Sequence, residues 1–170
     1  MSLLKSRARA LALVGAASVA AVGIGVAAQS ALASGGPVSV TSVVLSGTRA
    51  APTVTITGSG FGSAPTGVPL SSVTNCPAGS TGTDFAGAKL WVSDAPPTSA
   101  GPLWTAGAQN GTTPVQGDCI GLNIVSYSST QIVFNFGNQY NTHSWILHDG
   151  DGVTLSVKKE PFPFLVPSGF

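Results

Sequence analysis

The chain has 170 residues, 43% of them hydrophobic and only 8% charged, with 22 glycines, 12 prolines and two cysteines. Three of its seven basic residues, Lys5, Arg7 and Arg9, lie in the first ten positions, so that Arg49, Lys89, Lys158 and Lys159 face six acids over the rest, a net charge of −2 there. That balance offers no basic stripe to neutralise phosphates and argues against nucleic-acid binding, while regular Val, Ile, Leu and Phe runs argue against a disordered chain.

The basic residues at the N-terminus precede an Ala/Val/Leu/Gly run from residue 10 to about residue 28, and Ala31-Leu32-Ala33 follows. A basic flank, an apolar stretch and a small-x-small site are the layout of a secretory signal peptide, predicted over residues 1–33. The run is also long enough to span a bilayer as a retained helix, although Ala and Gly make it only weakly hydrophobic. Cleavage would leave roughly 137 residues, enough for one domain with its own core. With no second run of that length, no membrane span is expected after cleavage.

From there the pattern is strands and turns. Residues 38–44 (VSVTSVV) and 53–57 (TVTIT) alternate apolar side chains with Ser or Thr, as half-buried strands do. The same reading applies to residues 89–93, 120–124, 131–136, 144–147 and 153–157. Residues 58–62, GSGFG, are spaced unlike a dinucleotide fingerprint: Ser63 stands where the third glycine belongs, and Pro65 and Pro69 prevent the helix whose N-terminus would meet a pyrophosphate. The glycines are instead predicted to let the strand turn out of its sheet, with Phe61 folding back over the core.

Two long connections, residues 63–87 and 94–118, are rich in Pro, Ser, Thr and Gly. Cys76 lies in the first and Cys119 directly follows the second. In an exported chain the pair Cys76 and Cys119 reads as a disulfide, and closing a 43-residue loop contributes about 4 kcal/mol in the chain-entropy model. The C-terminal residues 160–170 include Pro161 and Pro163, which lack backbone donors, so this stretch is predicted to be an extended tail along an edge rather than a central strand.

Four segments together resemble an IPT/TIG domain, an immunoglobulin-like fold: residues 37–43 (PVSVTSV), 54–62 (VTITGSGFG), 124–132 (IVSYSSTQI) and 150–157 (GDGVTLSV). The resemblance spans both ends of residues 34–159 and departs from the usual pattern in the two long connections and the cysteines. It implies a surface, adhesion or accessory module.

The candidate sites are few. Leu90 and Val92 share one face of their strand, which sets Trp91 with Lys89 and Ser93 on the other. Trp91 and Trp104 then either form an exposed aromatic surface for stacking on sugar rings or a partner protein, or lie buried beneath the long loops as a second small core. Asp149-Gly150-Asp151-Gly152 reads as a hairpin turn rather than a calcium loop, since it lacks the spaced acids of an EF-hand. His143 and His148 lack a third ligand for zinc nearby in the sequence. Asn110-Gly111-Thr112 matches a glycosylation sequon but serves equally as a turn.

The sequence thus predicts an all-β, immunoglobulin-like antiparallel β-sandwich of about seven strands over residues 34–159, closed by one disulfide. It is expected to be secreted or extracellular, in association with the cell wall, and to need no cofactor. The expected role is a non-catalytic interaction module for a cell-envelope polysaccharide or protein, with Lys89, Trp91 and Trp104 as its ligand-binding residues. The alternatives are a structural part of a surface assembly and a small hydrolase using Asp149 and Asp151.

Overall fold

A computed structural model describes residues 36–85, 89–95, 101–108 and 118–170. The predicted leader, Pro96-Pro97 and the sequon at Asn110 lie outside the described residues. The strands run β1 Ser39–Thr48, β2 Ala51–Ser59, β3 Val68–Pro69, then a 3-10 turn Leu70–Ser72, β4 Thr83–Asp84, β5 Leu90–Ala95, β6 Trp104–Ala106, β7 Leu122–Tyr127, β8 Gln131–Phe136, β9 Gly152–Val157 and β10 Glu160–Leu165. They form two antiparallel sheets, one of six strands in the order β1-β2-β8-β7-β4-β3 and one of four in the order β10-β9-β5-β6. The fold is the all-β sandwich expected.

Period-two patterning places the core. Val54 and Ile56 of β2 and Ile132 and Phe134 of β8 point inward from the larger sheet, towards Leu90 and Val92 of β5 and Val153, Leu155 and Val157 of β9; all are buried. Each such side chain taken out of water contributes roughly 1.5–3 kcal/mol. The register keeps the faces consistent, with Ile56 opposite Ile132 and Val92 opposite Leu155.

Two expectations are corrected and a third is sharpened. The long connections hold strands: they supply β3, β4 and β6 and account for most of the excess over seven strands. Residues 144–147 are not a strand, because Asn141, His143 and Ser144 all adopt positive φ and curl the chain into successive turns. The C-terminal stretch pairs with β9 as a true edge strand, Phe162 opposite Leu155 and Phe164 opposite Val153. Its prolines, two residues apart, share one parity, so both can sit where their nitrogens face away from β9.

The glycine exit from β2 behaves as a corner. Gly60 and Gly62 have φ of +76° and +69°, and Phe61 between them is fully buried. Gly58 is needed for a different reason: a Cβ there would lie 1.9 Å from the Ser39 carbonyl oxygen across the β1 pairing. Main-chain bonds from Gly58 N to Thr130 O and from Phe61 N to Ser129 O tie the corner to the β7–β8 turn. Cys76 and Cys119 form the predicted disulfide, with Cα atoms 5.4 Å apart.

Candidate functional site

Just past the corner the chain enters the wall of a cleft of about 340 Å³, lined by Ser63, Ala64, Pro65, Tyr127, Lys89, Lys158 and Lys159. Three of the four basic residues beyond the leader therefore meet in one place. Lys89 stands just ahead of β5, and Lys158 and Lys159 form the two-residue turn between β9 and β10, bound to it through Lys158 N to Lys89 O at 2.8 Å.

The sequence makes this turn at a cost. Lys158 and Lys159 have φ of +52° and +78°, the left-handed pair of a type I′ hairpin, where Asn-Gly is the favoured dipeptide. Two long side chains with a Cβ occupy positions better suited to residues without that steric clash.

The ammonium groups are only lightly held. Lys158 Nζ donates to Gly60 O at 3.1 Å and Lys89 Nζ to Thr66 O at 3.3 Å. Among the described residues none of the three lysines forms a salt bridge. The apolar side of the cleft is Ala64, Pro65 and the ring of Tyr127, whose hydroxyl donates to Phe61 O at 3.1 Å. Burial raises the Tyr127 pKa and keeps the phenol neutral. Such a cleft offers positive charge beside a flat apolar wall, the chemistry to hold an anionic group carried on a ring or chain.

The predicted binding residues separate. Lys89 lies in the cleft. Trp91 is half-buried on the outer face of β5, two residues along from Lys89 on the same side and opposite Ser156. Trp104 is 1% exposed and packs edge-on against Phe136 and Tyr140 at 5.5 and 5.6 Å. It presents no face to a ligand, so the two indoles make no shared surface; β6 adds to the sheet edge and turns Trp104 into the core. Lys158, Lys159 and Tyr127 were missed by sequence reading. Their signal was a Lys-Lys pair between two alternating runs, and only the fold brings it beside Lys89.

Asp149 and Asp151 also part company. Asp149 is exposed, pairs with Arg49 and accepts from Gly169 N, whereas Asp151 is fully buried and accepts from His148 N at 2.6 Å. The neighbour of Asp151 is Asp94, at the inward end of β5 and equally buried. Burial, and then the Asp151 carboxylate beside it, push Asp94 up to about 7. The Trp104 indole N–H pulls the other way, although it closes no standard hydrogen bond with the carboxylate. Tyr140, donating to Arg49 O and accepting from Leu147 N, is pushed up to about 12, mainly by burial. Substrate has no route to two carboxylates sealed in this way. Among the described residues no three His, Cys, Asp or Glu side chains group to hold a metal ion, and no helix is long and apolar enough to cross a membrane.

No family model, curated protein or solved structure matches this chain.

Proposed function

We propose that this protein is a non-catalytic, secreted or cell-wall-associated interaction module of the IPT/TIG type that binds an anionic polysaccharide of the cell envelope. The observation that carries the reading is the convergence of Lys89, Lys158 and Lys159, which form no salt bridge among the described residues, on a cleft walled by Tyr127 and Pro65. A carboxylate- or phosphate-bearing sugar satisfies the ammonium groups while its ring covers the apolar wall. Trp91 lies on the same side of β5 as Lys89 and extends the contact to a second ring. The strained turn supports the same reading, since unfavourable backbone geometry persists where side-chain identity matters more than stability. The disulfide supports an oxidising compartment, and with it the export expected of residues 1–33.

Calorimetric titration with acidic and neutral envelope glycans tests the proposal. Binding restricted to acidic glycans, weakening as salt rises, is expected. Replacing the turn by Lys158→Asn with Lys159→Gly should abolish binding and raise stability by about 1–2 kcal/mol. Equal binding of neutral glycans, or binding unchanged in that variant, refutes the assignment.

A further inference from the structure

The two sheets have four edges, and three are protected in recognisable ways. β3 is two residues long and ends in Pro69; β6 is three residues long, with Ala106 bridged to Ile120. β10 carries Glu160, Pro161 and Pro163. The fourth edge, β1, differs from all of these. It runs for ten residues, SVTSVVLSGT, with no proline and no charged side chain, and among the described residues no strand pairs with its outer side. Its single irregularity is a bulge between Val40 and Ser42. Long uncharged edges are templates for further strand pairing, and proteins normally guard them with Lys, Pro or brevity.

The surface beside this edge is shaped for a strand. A groove of about 280 Å³ runs between β1 and β10, where the two layers part, and Val40, Val43, Phe162 and Phe164 line it. An incoming strand that extended the larger sheet would lay its inward side chains over this seam, so it needs Val or Leu on alternate positions and no charge. β1 itself meets that description, with Val43 and Leu45 inward and Val44 outward and 53% exposed.

We propose that β1 pairs antiparallel with β1 of a second copy of this chain, joining the two six-stranded sheets into one across a two-fold axis near Val44. Centred there, the pairing sets Val44 against Val44 on the outer face and Val43 against Leu45 on the inner face, so each residue meets a partner on its own side of the sheet. Neither strand carries charge, and no like charges are brought together. Ten residues give an edge about 34 Å long. One strand pair with a short apolar seam is a small interface, and the dimer should form with a dissociation constant on the order of micromolar. This inference stands on observations separate from the lysine cleft, and it doubles that cleft on one particle.

Sedimentation velocity of the purified protein from about 1 to about 300 micromolar, with its N-terminus defined by mass spectrometry, tests the pairing in the range expected of a small interface. A concentration-dependent dimer is expected, with slower hydrogen exchange of β1 amides as it forms. Val44→Lys, on an exposed site, should weaken dimerisation at least tenfold by setting two ammonium groups face to face. Val44→Glu should do the same alone, and an equimolar mixture of the two variants should restore the dimer. A monomer at every concentration overturns the proposal, including one whose β1 amides are protected at all dilutions by another segment or a different partner. So does a dimer that both single variants leave intact.

Discussion

Replacing Asp94 by Asn should flatten the pH dependence of stability. Asp94 has an ordinary pKa of 3.8 and in the fold one of about 7, raised by burial and by Asp151. Between these values the folded chain holds a proton that the unfolded chain releases, so stability falls as pH rises. The contribution is complete below pH 4, is lost progressively up to pH 7 and changes no further above it. A shift of about three units corresponds to about 4 kcal/mol, which for a domain of this size lowers Tm by on the order of 15 °C. Asp118, also raised by burial, adds a smaller slope of the same sign, so the difference between wild type and variant is the quantity to read. Asn keeps the shape of the carboxyl without its charge. Urea unfolding at half-unit steps from pH 4 to 8, at constant ionic strength, should show a wild-type midpoint that falls with pH and a variant midpoint that falls distinctly less. A wild-type profile that is flat or rises, or a variant with the same slope, refutes the reasoning.

Trp104→Ala should cost about 3–5 kcal/mol as a buried aromatic truncation, whereas Trp91→Ala should cost far less and weaken glycan binding; denaturant midpoints and titration separate the two roles. Removing the disulfide by Cys76→Ala with Cys119→Ala should destabilise the fold by about 4 kcal/mol, measured against the oxidised protein. Gly58→Ala forces a Cβ against the Ser39 carbonyl and should cost at least about 1–3 kcal/mol, with faster hydrogen exchange in β1 marking the separation of that strand from β2.

The main strands were legible because their alternation is regular: Val54 and Ile56, or Val153, Leu155 and Val157, can bury one face in only one parity. The same rule reaches further than the boundaries first drawn. Leu90 and Val92 continue to Asp94, which lies on the inward parity of β5, and the buried Asp151 sits one residue ahead of β9. Ending β5 at Ser93 hid the pair. Residues 144–147 misled for the opposite reason, since Trp145 and Leu147 alternate within a segment whose backbone curls through positive φ. The lysine cleft could not be read in advance. Its lysines are close only because β5 pairs with β9, which brings residues about 70 positions apart to one end of the sheet.

The prolines of β10 bear on how the molecule behaves when concentrated. A sandwich with two receptive borders can add neighbours without end and grow into fibres. Here Pro161 and Pro163 remove main-chain donors from one flank of the seam, and β3 and β6 are too short to recruit a strand. Among the described residues each molecule thus retains a single valence, which the proposed pairing of two copies would exhaust, giving pairs rather than polymers.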